Sequence, residues 1–442
     1  MDVKLRPLST DRSCRQIDRV QPMATFSPFN WFRSPQVEPP CRTALSVNPS
    51  LDAAVQDISE QLRQSRQSDL ALVFASTSYA SDLPRLLPLL KQRLNAELWL
   101  GCVGGGVVGT TQTGHCQELE QTPALSVTLL SLPGASLQAK ALDTATLPDL
   151  DGAAKTWEDW VGIGAAESRS QIVLLDPSSS GINDLISGLD YAYPYSAKIG
   201  GIAAPHNAPH GSLLLNDQVV NGAVVCSIGG DWLLDTVVAQ GCRPIGPVFS
   251  IEQVQRNVLL ELNDGGRKAS PVTCLQRVLA ELSDEERDRA RHSLFLGIER
   301  RTLHLSADGQ QSNDGGAFLV RNLIGVDPSN GAVAVAERVR PGQNVQFQLR
   351  EATASRDEAL QLLQAAAGDS PQFGLLMACL GRGESLFGVP DGDISLARQV
   401  MPDLPIAGAF CNGEIGPVGG ATHLHGYTAC WGLLRPVRSA TP

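Results

Sequence analysis

The sequence predicts an α+β chain of mixed α/β type. Repeated strand–helix–strand–strand units form mixed, largely antiparallel sheets, with helices packed on their outer faces. Three observations carry this prediction. Short apolar runs of buried-strand type alternate with segments of helical periodicity. That order comes round three times along the chain. Of 442 residues, 43% are hydrophobic and 18% charged, with 42 glycines and 28 prolines. Such a composition supplies core for two or three domains and is wrong for a coiled coil.

The first unit follows a helix that Ser50 can cap, with Leu51, Val55, Ile58 and Leu62 on one face. The run LALVFA at 70–75 reads as a buried strand, and 82–94 as a helix. ELWLGC at 97–102 then leads into the glycines Gly104, Gly105 and Gly106, and LSVTLL at 125–130 alternates like a strand. In the second unit QIVLLD at 171–176 precedes a helix at 183–189. KIGGIA at 198–203 supplies the glycine turn and GAVVCSI at 222–228 the later strand. The third has FGLLMAC at 373–379, a helix near 394–400, PIAGAF at 405–410, GEIG at 413–416 and GYTACWGLL at 426–434. From first strand to glycine turn takes roughly 28–34 residues in every copy.

Between the second and third units, 232–240 and 249–262 read as strands and 273–282 as a helix. Segments 332–338 and 344–350 read as a hairpin across Pro341-Gly342, and 356–367 as a helix. Two domains are expected, 44–250 and 251–435, sharing a sheet face and flanked by tails at 1–43 and 436–442. Six prolines break up the first forty-odd residues, which carry seven basic and four acidic side chains, a net +3. That segment reads as a disordered tail or as a chloroplast or mitochondrial transit peptide, although Asp2, Asp11, Asp18 and Glu38 are unusual for the latter. The alternative is a cytoplasmic protein.

The rest of the chain carries −14 of the overall −11, so it repels phosphate backbones, and no nucleic-acid partner is expected. No stretch offers about 18 consecutive apolar residues, so no membrane partner is expected either. Ten cysteines are scattered without a CxxC, which argues for a reducing, intracellular setting rather than a disulfide framework.

Motifs for chemistry are few. Gly104 to Gly109 contains GxGxxG, but TTQTG follows where a dinucleotide site needs a helix. The plainer reading is a tight turn whose glycines take positive φ. His115-Cys116 with Cys102, or His423 with His425, has metal-ligand residue types. His206 and His210 are four apart, but Pro205 and Pro209 bar the helix that would align them. Cys411 or Cys379 with a histidine has the makings of a nucleophilic pair. No cofactor and no known catalytic signature is expected.

The densest polar signal lies after apolar strands near the C-terminus. Arg382, between Gly381 and Gly383, and Glu414, between Gly413 and Gly416, occupy equivalent loop positions. The glycines leave room for backbone to meet a ligand, an Arg can fork onto a carboxylate, and a Glu can accept an ammonium. An Arg382–Glu414 ion pair tying two loops is the competing reading. His425 and the glycine-turn residues Gly105, Gly200 and Gly201 complete the candidate ligand-binding set.

The phrases CLGRGESLFG and FCNGEIGPVGGATHLHGYTAC resemble the FIST C-terminal domain. LALVFAS, LWLGCVGGGVVG and YPYSAKIGGIAAP resemble the FIST N-terminal domain, so the resemblance covers about 44–435. It implies a non-enzymatic, small-ligand-binding sensory module for signal transduction, with amino-acid-like metabolites as ligands. Related proteins place an F-box before this region and serve ubiquitin ligases, which gives an alternative: an adaptor with protein partners in ubiquitin-dependent turnover. Residues 1–43 are too short and proline-broken for an F-box.

Overall fold

A computed structural model describes residues 39–63, 67–300 and 317–437. The transit-peptide or disordered-tail reading therefore lies outside the described residues up to position 38.

The first copy runs β1 (Cys41–Ser46), α1 (Leu51–Gln61), β2 (Ser68–Ser76), α2 (Leu83–Lys91), β3 (Ala96–Gly104), β4 (Gly106–Thr110), β5 (Cys116–Glu120) and β6 (Leu125–Leu130). The second runs β7 (Ala135–Leu142), α3 (Ala154–Val161), β8 (Ser170–Leu175), α4 (Ile182–Ala192), β9 (Ala197–Ile202), β10 (Leu213–Leu215), β11 (Gln218–Val220) and β12 (Ala223–Gly230). The third opens with β13 (Trp232–Ala239) and is then interrupted. The interruption holds β14 (Cys242–Gln255), β15 (Val258–Asn263), β16 (Lys268–Ala269), α5 (Pro271–Glu281), α6 (Asp284–Ser293), β17 (Leu294–Arg300), β18 (Ala317–Asp327), β19 (Ala332–Val335) and β20 (Asn344–Arg350). The third copy resumes with α7 (Ala352–Ala367), β21 (Phe373–Cys379), α8 (Gly383–Phe387), α9 (Gly392–Val400), β22 (Ile406–Cys411), β23 (Glu414–Val418), β24 (Ala421–His425) and β25 (Ala429–Pro436).

The three copies build three six-stranded sheets of one design: β1-β6-β2-β3-β10-β11, β7-β12-β8-β9-β23-β24 and β13-β25-β21-β22-β4-β5. Only the middle pairs β2–β3, β8–β9 and β21–β22 are parallel, as the intervening helix in each requires. The last two strands of each sheet are a hairpin lent by another copy. The first copy's β4–β5 pairs with β22, the third's β23–β24 with β9, and the second's β10–β11 with β3. Three backbone hydrogen bonds mark the crossings: Gly105 to Phe410, Asn412 to Ile202 and Ala204 to Val103, each 2.9 Å from N to O.

Strand alternation then sorts the side chains. Leu70, Leu72 and Phe74 of β2, Ile172 and Leu174 of β8, and Phe373, Leu375 and Met377 of β21 face one common core. Ala71 and Val73 face outward under α1 and α2, Val173 and Leu175 under α3 and α4, and Leu376 and Ala378 under α7 and α9. Strands buried on both faces read as continuous apolar runs, which is how they are visible in the sequence. The interruption forms a separate antiparallel sheet, β14-β20-β17-β18-β19-β15-β16, which the β14–β15 pairing closes into a barrel. Its interior holds Phe249, Leu296, Val345 and Phe347, against Cys274 and Val278 of α5.

Several expectations need correcting. Residues 41–43 belong to β1, paired antiparallel with β6, rather than to a tail. Ser50 sits at the N-cap of α1 but makes no side-chain cap. Gly104, Gly105 and Gly106 do not take positive φ. They are small because Cβ atoms there would strike the Gly106 carbonyl oxygen, Leu380 and Phe410. The 249–262 segment is two strands rather than one. The Pro341-Gly342 turn forms, but β19 and β20 do not pair with each other. β19 lies between β18 and β15, and β20 between β14 and β17, so longer-range partners displace the local hairpin. Among the described residues no helix is long and apolar enough to cross a membrane.

One glycine recurs at the same point of each parallel pair: Gly101 opposite Val73, Gly200 opposite Val173 and Gly408 opposite Leu376. At all three a Cβ would run into the carbonyl oxygen of the facing residue. Gly408→Ala is therefore expected to lower the unfolding free energy by about 3 kcal/mol, through overpacking against an oxygen that cannot swing away. Gly426→Ala, with nothing within 4 Å of the added methyl, should change stability by less than about 1 kcal/mol. Urea unfolding of the two variants checks this, and equal midpoints would refute it.

Candidate functional site

Arg382 follows the end of β21 and is the N-cap of α8, yet its side chain is wholly buried. Its guanidinium forks onto Asp393 in the first turn of α9, with Nε to Oδ2 at 2.8 Å and Nη2 to Oδ1 at 2.6 Å. Nη1 donates to the Tyr427 carbonyl at 3.3 Å, and the Phe387 ring lies beneath the group. Glu414 opens β23, just after Gly413 at φ +134. Its Oε2 accepts from the Thr428 amide at 3.2 Å, while Oε1 has no partner. The fork expected for a ligand, or for Glu414, is thus occupied by Asp393.

Other buried acids surround this pair. Glu118 comes from β5, the hairpin lent by the first copy, and accepts from the Ile394 amide at 2.8 Å. Burial, reinforced by the negative charge of Asp393, pushes the Glu118 carboxyl up to about 8. Burial alone pushes Glu414 up to about 8. Glu358 of α7 is also raised by burial and accepts from the Gly241 amide. Arg350 donates to the Gly381 carbonyl at 2.6 Å and lies 4.5 Å over the Tyr427 ring. This cluster joins β5, α7, α9 and the turns around them.

The candidate glycines make room for protein. A Cβ at Gly105 would strike Leu380, at Gly383 Glu120, and at Gly200 the Val173 carbonyl. At Gly201 it would meet Cys411 at 2.7 Å, at Gly381 Tyr427 at 2.9 Å, and at Gly416 Val238 at 2.7 Å. Cys411 is buried against Met377, and burial drives its thiol well above the ordinary value, with Cys379 pushed up to about 11. Among the described residues no histidine hydrogen-bonds either thiol.

An open cleft of about 1060 Å³ lies elsewhere, between the body and the barrel. One wall is α4 and β24, with Asp184, Asp190, His423 and His425; the other carries Arg256, Arg300, Arg321 and Arg338. His425 is 4% exposed. Its Nε2 donates to the Gly416 carbonyl at 3.0 Å, so Nδ1 is left as a bare acceptor, and it has no partner. Burial pushes His425 down to about 3 and His423 down to about 4, so both are neutral at pH 7. Arg382 and Glu414 do not line this cleft; of the side chains singled out in the sequence for ligand binding, His425 does. Asp393 and Glu118 carry no signal in the sequence beyond their charge, with Asp391 two residues before the one and Glu120 two residues after the other. The four arginines converge from a turn (Arg256), two strands (Arg300 and Arg321) and the loop after β19 (Arg338), with no motif to betray them.

The family model for the FIST N domain matches residues 69–265, and that for the FIST C domain matches 271–417. An uncharacterized protein of Mycobacterium tuberculosis, Rv0628c, is 32% identical over 374 residues, covering 83% of this chain and 91% of the relative. The uncharacterized Mycobacterium bovis protein Mb0898c is 30% identical over 374 residues, covering 83% and 90%. These bacterial relatives lend no support to organelle targeting or to a ubiquitin-ligase adaptor.

The buried acids make stability pH-dependent. Glu118 and Glu414 hold protons up to about pH 8 when folded but ionise above 4.5 when unfolded, so stability falls as pH rises through that window. The histidines act oppositely below 6.5, where unfolding lets them charge, so the carboxyl effect stands clear between about pH 6.5 and 8. Glu118→Gln and Glu414→Gln should each flatten that slope by up to one proton. Asp393→Ala, which strands a buried guanidinium, should cost about 3–5 kcal/mol. Denaturant titrations across the pH range read both effects; an unaltered slope in the glutamine variants would contradict the assignment.

Proposed function

The chain belongs to the FIST family, whose domains are sensory and signal-transduction modules, and on that premise we propose a non-enzymatic receptor for a small, amino-acid-like metabolite. Its ligand enters the cleft between the body and the barrel. The observation that carries this reading is His425: a neutral, almost fully buried imidazole whose Nδ1 faces no protein donor, in the wall of a cleft large enough for a metabolite. A buried acceptor without a donor is costly unless something else supplies the hydrogen, and a ligand ammonium does so. Arg382 and Glu414 then serve beneath the site, holding the loops from which β23 and β24 spring. The raised thiols of Cys379 and Cys411 favour binding over nucleophilic chemistry, because a thiolate is the reactive form.

Thermal shift of the full chain against the twenty amino acids, with sugars and nucleotides alongside, tests the reading. At least one amino acid should raise the melting temperature through linkage. Gly426 lines the cleft and has open space where a side chain would project, so Gly426→Trp should fold normally and lose the shift. Failure of every amino acid to stabilise the wild type at millimolar concentration would refute the proposal.

A further inference from the structure

The two walls of the cleft differ in charge. The body wall offers acceptors: the Nδ1 of His425 and the carboxylates of Asp184 and Asp190. Asp190 is largely spent, since it takes Lys198 at 3.0 Å and the Thr422 amide at 2.6 Å. The barrel wall offers donors: Arg256, Arg300, Arg321 and Arg338, against the single carboxylate of Glu337. Glu337 is shared by Arg321 at 3.0 Å and Arg300 at 3.2 Å. The Nε of Arg300 is buried with no acceptor. Arg256 and Arg338 have no carboxylate partner among the described residues; both line the cleft, and the Val339 amide bonds to the Arg256 carbonyl, which ties together the two backbone segments that carry them. Unpaired arginines are ordinary on a protein surface. Four arginines converging on one cleft, two of them without a carboxylate partner among the described residues, are not ordinary in a chain of net charge −11. Even after Glu337 and Asp184 are set against them, positive charge remains in excess on one side only.

Resting on the reading that the cleft takes an amino-acid-like ligand, we infer that this ligand is an acidic amino acid lying across the cleft. Its ammonium meets His425 Nδ1 and Asp184 on the body wall. One carboxylate meets the orphaned Arg300 Nε beside Arg321, and the other meets Arg256 and Arg338. Each orphan atom is then answered by the group it lacks, an acceptor for Arg300 and a donor for His425. Neutral amino acids leave the Arg256–Arg338 pair unanswered, and basic ones place a cation against it. The arginines on the barrel thus set ligand specificity, while His425 sets its orientation.

Isothermal titration calorimetry of the full chain distinguishes the outcomes. L-glutamate or L-aspartate should bind at least tenfold more tightly than L-glutamine or L-asparagine, and more tightly than glutarate or succinate, which lack the ammonium. Arg256→Gln and Arg338→Gln, both at exposed positions, should fold as wild type. Each should weaken the acidic ligand at least fivefold and leave the amide ligand unchanged. Amides binding as tightly as acids, or arginine variants without effect, overturn the acidic specificity while leaving the cleft as a receptor site. Glutarate matching glutamate overturns the ammonium contact. If no amino acid binds at all, the receptor reading itself falls.

Discussion

No copy of the repeated unit can finish its own sheet. Each supplies four strands at home and sends its hairpin abroad, first to third, third to second and second to first. The exposed edge of every parallel pair is therefore covered by a neighbour, which removes the unpaired strand edge that an isolated unit would present. The crossings are held by equivalent backbone bonds from Gly105, Ala204 and Asn412. At those points strands of different copies run close, which is why the chain there is glycine-rich and intolerant of side chains. The common core, the outward helices and the position of every loop at a strand end follow from this exchange.

Buried charge follows from it too. β5 arrives in the third sheet from the far end of the chain and brings Glu118 against α9, where Asp393 already holds Arg382. A guanidinium with no water access must be met by a carboxylate, and the second and third acids nearby then stay protonated. The cluster is a clasp between chain segments more than two hundred residues apart. Its chemistry resembles that of a ligand site because a binding pocket and a dry interface both require a paired Arg.

Much of the fold was legible because its strands are short apolar runs and its units recur. Gly200 was legible as part of a glycine turn, but Gly101 and Gly408, which share its close approach to a facing carbonyl, lay unremarked inside apolar runs. The hairpin exchange was invisible, since nothing local in GVVGT says that it pairs with IAGAF three hundred residues away. The Pro341-Gly342 turn misled for the same reason: turn chemistry fixes the turn and not the partners of the strands it joins. Helix α6 was missed despite a full signature, Ser283 capped reciprocally by Glu286, because its polar surface carries no apolar stripe. Arg382 and Glu414 stood out because charge among glycines after a strand is conspicuous. Asp393 did not, being one of two acids that flank Gly392 where α9 begins.

The barrel leaves and rejoins the body at one place. Cys242, at its first strand, lies opposite Arg350, at its last. An interruption with adjoining ends does not disturb the threading around it, so β13 meets α7 as β1 meets α1 and β7 meets α3. The host keeps its approximate threefold symmetry, with three equivalent hairpins on three equivalent faces. Among the described residues, the hairpin that lines the cleft facing the barrel is β23–β24, through β24. A body built to offer three like surfaces has been made to offer one unlike the others, and a single insertion was enough to break the symmetry.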